Sequence, residues 1–170
     1  EGQPRIGTLP RQRSNFEKYG NVVGVGVIKK EGGVRMFYRI NMKDLSVKED
    51  AGEQYAGLGG RALSSRLVEE EVEPTAHPLG EKNKLFFVTS LLSGTGAPNG
   101  GRMSLGAKSP LTGGIKESNV GGTMGMKLGR LGVRGIIVEG LPAQEGTYVI
   151  QVSAAGVSLV EMPELKGLNI

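Results

Sequence analysis

The sequence contains no cysteine. That absence removes disulfides, a thiolate nucleophile, cysteine-ligated zinc and an iron–sulfur cluster from anything the chain can build from its own side chains. It does not fix a compartment, because neither a reducing nor an oxidising space requires cysteine. Histidine occurs once, as His77, so no second imidazole exists for a metal site or a proton relay. Trp is missing and aromatics make up 5% of the residues, too few for base-stacking platforms. No apolar run approaches the roughly 20 residues of a membrane-spanning helix. The first residues are polar, without a secretory leader pattern. Position 1 is not Met, which leaves an upstream N-terminus open.

What the chain has in excess is glycine, 29 of 170 residues. These glycines follow no period of three, so a collagen-like repeat is excluded. Many positions must instead need a positive φ or a close backbone approach. The length is that of one domain and is enough to bury a core without covalent staples. A hydrophobic fraction of 38% and a charged fraction of 22% fit a folded, soluble protein. The formal net charge of +4 suits an anionic ligand but is too mild to point to nucleic acid.

Residues 1–20 carry Pro4, Pro10 and four Arg or Lys with no periodicity, which reads as an extended arm. The remainder, 21–170, reads as a single domain. Residues 21–30 are β-branched and interrupted by glycine, and Glu31-Gly32-Gly33 marks a hairpin turn into an alternating strand over Val34–Asn41, with Met36, Tyr38 and Ile40 on one side. A short strand is expected over Leu45–Lys48. The period then changes to three and four through Tyr55, Leu58, Ala62, Leu63, Leu67 and Val68, which predicts an amphipathic helix over Gly60–Glu71. Glu69, Glu70 and Glu71 at its end oppose the helix dipole and read as a solvated face. His77 reads as a surface loop residue. Lys84–Leu92 is a near-continuous apolar run, expected to be a buried strand. Thr123–Leu131 reads as a short helix opening at Gly121-Gly122. Gly135–Glu139 reads as a buried strand, and Thr147–Ser153 with Val157–Glu161 as a hairpin. Each half thus sets strands around one helix. The expected class is α+β: two mostly antiparallel sheets, two short helices and a hint of β/α/β duplication.

Between these elements lies a stretch from Ser93 to Gly122 crowded with glycines, hydroxyls, two prolines and single polar residues. It reads as short strands joined by tight loops. Gly106-Ala107-Lys108-Ser109 fails as a phosphate loop, because Pro110 follows where a helix must start. Gly57-Leu58-Gly59-Gly60 has the wrong spacing for a dinucleotide fingerprint, and no nucleophile elbow is present. No self-contained catalytic set emerges. Arg102 follows Gly100-Gly101, so its guanidinium can reach an anion or a planar ring over bare backbone. Asn119 stands just before Gly121-Gly122 at the expected opening of the helix, where main-chain N–H groups favour an anion. Two plainer readings stay open: Asn119 caps the helix, and Arg102 makes a surface ion pair.

Several segments taken in order resemble a known family: Gly59-Gly60-Arg61-Ala62-Leu63, Pro78-Leu79 with Asn83-Lys84-Leu85, Leu92 through Arg102, Lys108-Ser109-Pro110-Leu111-Thr112-Gly113, Ser118-Asn119-Val120-Gly121-Gly122, and Gly135-Ile136-Ile137-Val138-Glu139-Gly140. They resemble the N-terminal domain of the aldehyde ferredoxin oxidoreductases. The resemblance implies a base of two sheets with pseudo-twofold symmetry that carries a tungstopterin or molybdopterin cofactor, with magnesium bridging the pterin phosphates. It implies that Arg102 contacts the pterin, that Asn119 ligates magnesium through its main-chain carbonyl, and that Gly121, with Gly122 beside it, lies against the pterin. The glycine-rich stretch would then be bare because a flat ring system rests on it.

The family oxidises aldehydes to carboxylic acids in the cytoplasm and passes electrons through a [4Fe–4S] cluster to ferredoxin. Its members are several times longer. Two helical domains supply the cluster cysteines and the substrate channel, so this chain would depend on such domains or on a partner subunit. Val120 departs from the small polar residue common at that position, and the strand over 21–30 is additional. The alternative is a non-catalytic, stand-alone scaffold derived from the family that binds a pterin or a protein. An uncovered apolar face in either case invites a partner or a homo-oligomer.

Overall fold

The computed structural model describes residues 35–168. The arm over 1–20, the strand expected at 21–30 and the turn at Glu31-Gly32-Gly33 lie outside the described residues. Eight strands and two α-helices follow, in the order β1 (Met36–Asn41), β2 (Ser46–Asp50), α1 (Gly60–Glu71), β3 (Lys84–Thr89), β4 (Met103–Lys108), β5 (Ile115–Val120), α2 (Met124–Arg130), β6 (Val133–Glu139), β7 (Tyr148–Ser153) and β8 (Gly156–Glu161). The expected α+β class, with two mostly antiparallel sheets and two helices, is what forms.

The larger sheet has the order β2-β1-β6-β3-β4-β5, and β7-β8 form a separate hairpin. Hairpin, helix and strand occur twice along the chain, as β1-β2-α1-β3 and β4-β5-α2-β6. The sheet order sets β3 beside β6 at the centre with one hairpin outside each. The repeat holds for order and not for polarity. β1 runs parallel to β6, whereas β4 runs antiparallel to β3.

Alternation along the strands buries both faces of this sheet. Phe37, Phe86, Val88 and Ile137 point to one face and pack with Leu63, Leu67 and Val68 of α1. Ile40, Ile136 and their neighbours point to the other, where Leu128 of α2 and Ile150, Val152, Val157 and Leu159 of the β7-β8 hairpin cover them. Two buried faces explain why β3 and β6 read as continuous apolar runs. Gly135 leaves room for the Phe37 ring, whose Cδ1 would lie 2.8 Å from a Cβ there. At Gly106 a Cβ would lie 2.9 Å from Ser64 Cβ, so the glycine lets α1 close on β4.

Two expectations need correction. β3 ends at Thr89, not Leu92. Ser90 turns the chain instead: its N–H donates to Ser93 Oγ at 3.1 Å, and its carbonyl accepts from Ser93 N at 3.1 Å, the local bonding by which serine competes with a strand. The solvated face expected at the end of α1 holds for Glu69 and Glu70, which are exposed, but not for Glu71. Glu71 accepts both Arg39 Nη groups at 2.7 Å and Lys84 Nζ at 3.0 Å, Lys84 reaches Glu139 at 2.8 Å, and Glu70 accepts Tyr55 Oη at 2.9 Å. His77 is an exposed loop residue, as its sequence context implied.

Candidate functional site

Strand polarity gathers the starts of β1, β4 and β6 and the ends of β3 and β5 on one rim of the sheet. Arg102 therefore enters β4 where Asn119, Val120, Gly121 and Gly122 leave β5. Within the pair, Met103 faces Val120 and Ser104 faces Asn119. Arg102 Nε donates to Asn119 Oδ1 at 2.5 Å. The Arg102 guanidinium lies over Gly121, where an added Cβ would meet Arg102 Nη1 at 3.9 Å and nothing nearer. Arg102, Asn119, Gly121 and Gly122 are all exposed. Both plainer readings are corrected by this geometry. The cap of α2 is Thr123, Asn119 lies inside β5, and Arg102 has an amide oxygen as partner and no carboxylate within ion-pair distance among the described residues.

Behind this pair runs a polar relay toward the core. Ser104 Oγ accepts from Ser64 Oγ at 2.8 Å and donates its one hydrogen to Glu117 Oε1 at 2.6 Å. Arg61 closes on Glu117 at 3.2 Å. The Ser104 hydroxyl, with Arg61 and Asn119 adding to it, holds the Glu117 carboxyl below the usual range. Glu117 thus stays ionised and fixes the inner side of the β5 edge.

The loop from Ser90 to Arg102 forms the wall beside the pair. Ser93 is fully buried, and its hydroxyl serves the carbonyls of Gly100 at 3.0 Å and Arg102 at 3.3 Å. Helix α2 lies against this loop backbone to backbone. A Cβ on Gly94 would stand 2.6 Å from Arg130 N, one on Gly101 2.6 Å from Gly122 O, and one on Gly129 2.7 Å from Gly94 N. Much of the glycine in this stretch therefore serves internal packing, not a flat ligand as the resemblance implied. Gly121 and Gly122 differ, for a Cβ on either meets no backbone. The spacing Gly125–Gly129 on α2 was the readable signal for this contact, since residues four apart share a helix face. Arg35 and Arg134, lone basic residues with no motif around them, carry no such signal in the sequence.

The sequence-derived residues thus meet in one place: a bare, basic sheet edge with its arginine already oriented. Such an edge suits a planar or anionic group, and it fits a pterin bearing phosphates in three respects. Among the described residues it offers a guanidinium without a carboxylate, a glycine surface no internal contact requires, and an edge strand whose outward carbonyls lack a ladder partner. Among the described residues no cluster of His, Asp or Glu could hold a metal by side chains alone, and no helix is long and apolar enough to cross a membrane.

An α+β domain that presents a glycine-rich rim defines the class. The chain belongs to the family of the aldehyde ferredoxin oxidoreductase N-terminal domain, whose profile matches residues 37–170. It is 40% identical over 116 residues to a tungsten-containing aldehyde ferredoxin oxidoreductase of Pyrococcus furiosus, covering 66% of this chain and 19% of that one. The enzyme of the same description from Thermococcus kodakarensis is 44% identical over 107 residues, covering 61% and 18%. A chain of the active-site complex BamBC of benzoyl coenzyme A reductase, in complex with 1,5-dienoyl-CoA, shares the fold with a TM-score of 0.71 and 23% identity over 79% of this chain and 21% of that chain. The chain spans about a fifth of the length of these relatives.

Proposed function

We propose that this domain is the pterin-cradling base of a tungsten- or molybdenum-dependent aldehyde:ferredoxin oxidoreductase, working only with further domains or a partner subunit. The observation that carries the reading is Gly121. It has neither a close internal neighbour nor a positive φ, yet it lies under a guanidinium that Asn119 orients. A side chain there would fill the space a ring needs. Arg102 would hold the cofactor by charge and by its planar face. Asn119 would act twice, its amide fixing Arg102 and its main-chain carbonyl offering magnesium a hard oxygen ligand. Gly121 and Gly122 would keep the surface flat. When bound, the metal and pterin would supply the oxidation of an aldehyde to a carboxylic acid. With no cysteine in the sequence, the [4Fe–4S] ligands and the docking site for a ferredoxin-type acceptor belong to the other domains. A cytoplasmic setting is part of the proposal.

Arg102→Ala tests it in the assembled enzyme. Metal and extractable pterin per mole of protein should fall severalfold while the thermal midpoint stays unchanged, because the side chain is exposed and, among the described residues, bonds only Asn119. Unaltered metal and pterin content overturns the assignment.

A second reading rests on Leu91, Leu92, Val120 and Met124, apolar side chains exposed along the same rim. In that case the domain is a non-catalytic scaffold whose rim receives a protein or a second copy. Light scattering that finds only monomer at high concentration, alone and with candidate partner domains, counts against it.

A further inference from the structure

On the same rim, beyond the Ser90–Arg102 loop, two more arginines meet. Arg35 stands just before β1 and Arg134 near the start of β6. They line a cavity of about 250 Å³ with Leu58, Thr89, Ser90 and Leu91. Each guanidinium is fixed by main-chain carbonyls. Arg35 Nη1 donates to Ser90 O at 3.2 Å and Leu91 O at 3.1 Å, and Nη2 to Ser93 O at 2.7 Å. Arg134 Nη1 donates to Gly52 O at 3.4 Å, and Nη2 to Tyr55 O and to Leu58 O at 3.2 Å. The Arg134 guanidinium also packs over the Phe37 ring, 5.4 Å from its centroid.

A guanidinium carries five N–H donors. Among the described residues three are used on each side chain, which leaves two on each, among them both Nε–H groups. Neither arginine has a carboxylate within ion-pair distance among the described residues. Burial first, and the nearby Arg35 charge second, hold Arg134 below the usual arginine value, yet an arginine is not deprotonated in a protein. The result is two positive charges lining one cavity with, among the described residues, only carbonyl dipoles to balance them. Thr89 is no competitor, because its hydroxyl is committed to Arg134 O at 3.0 Å.

We infer that this cavity binds a tetrahedral oxyanion of the phosphate class, free or as the terminal group of a larger molecule, held between Arg35 and Arg134. A planar carboxylate is satisfied by one guanidinium fork. Two forks approaching from separate segments, one just before β1 and one in β6, with unspent donors on each, match a dianion with three or four oxygens. The site is separate from the Arg102 edge and does not depend on the cofactor reading. It adjoins that edge, because the Ser90–Ser93 carbonyls that orient Arg35 belong to the loop whose Ser90 N–H donates to Arg102 O at 3.3 Å.

Titration calorimetry of the protein with inorganic phosphate, at ionic strength held constant with sodium chloride, tests the inference. One saturable site is expected. Arg35→Met should weaken it by about tenfold or more, the usual effect of losing a hydrogen bond to a charged group. Because that change also frees loop carbonyls, Leu91→Glu serves as the second variant. It leaves the backbone and both arginines in place and sets a carboxylate at the mouth of the cavity, so phosphate binding should be lost while the thermal midpoint is kept. Arg102→Ala should leave phosphate affinity unchanged. Glycerol 3-phosphate in place of phosphate distinguishes the sources: tighter binding assigns the site to an esterified group, weaker binding to the free ion. The inference is overturned by an absence of saturable binding, by binding that survives Leu91→Glu, or by binding lost with Arg102→Ala.

Discussion

Gly94 and Gly121 belong to one glycine-rich stretch and are glycine for different reasons. At Gly94 the backbone has φ +83°, and a Cβ would press on the last turn of α2. At Gly121 the backbone is ordinary and the space above it is open except for the end of Arg102. The first glycine is dictated by the fold. The second is not: no contact among the described residues calls for glycine there, and the proposed reading assigns the requirement to the cofactor. Composition reports both as the same letter. Only the volume a side chain would occupy separates a packing glycine from one that clears ground for a ligand.

Substitutions can grade that difference. Gly94→Ala combines strained backbone with a clash against main chain, and should lower stability by about 3 kcal/mol, measured by denaturant unfolding. A loss below about 1 kcal/mol would show that α2 shifts aside easily and would break the comparison.

Next in size is damage placed far from the rim, as a reference for plain destabilisation. Glu71→Gln uncouples Arg39 and Lys84 and should cost about 2 kcal/mol at neutral pH. Burial pushes the Glu71 carboxyl up, but Arg39 and Lys84 outweigh it and hold its value below the usual glutamate range. A folded value lying below the unfolded one gives stability that is present above about pH 4.3, the unfolded value, and fades as pH falls through the folded one. The gap between wild type and Glu71→Gln should therefore close on acidification below that pH; a constant gap from pH 7 to pH 3 removes Glu71 as its source. Neither Glu71→Gln nor Gly94→Ala should change how pterin is retained by the fraction that stays folded.

Smaller still is Gly122→Ala. Its φ of +89° is strained for alanine, but nothing lies within 4 Å of the added carbon, so about 1 kcal/mol is expected from conformation alone. Gly121→Ala completes the series with a stability change within about 0.5 kcal/mol of zero. That last variant sharpens the contrast most. Its unfolding curve should overlay wild type while metal and pterin content of the assembled enzyme falls. A normal cofactor load would mean that nothing rests on Gly121.

Where local rules act, sequence and structure agree. The stripe through Leu63, Leu67 and Val68 places α1 at Gly60–Glu71, the bounds observed, because helical periodicity is a short-range property. The β7-β8 hairpin was legible for the same reason. The turn at Ser90 shows where that reading weakens, since the Ser93 hydroxyl takes the Ser90 N–H where an apolar run would otherwise extend β3. Glu71 shows where it fails. Its partners Arg39 and Lys84 lie on other strands, and no local pattern marks them. The residues of the candidate site were legible only as a set of motifs. That Arg102 bonds Asn119, and that Gly121 is open while Gly94 is not, depends on the β4–β5 register and the seat of α2, neither of which is written in composition.

The parallel pairing of β1 with β6 also sets a timetable. Phe37 lies opposite Gly135, about a hundred residues later, and a ribosome adding roughly 5–20 residues per second needs about 5–20 s to cover that distance. Throughout that interval the first hairpin has no inner neighbour, and the Phe37 ring lacks the hollow that Gly135 provides. The centre of the sheet is thus among the last parts to close, and this domain, emerging stepwise, must keep an aromatic strand from wrong partners until its own arrives.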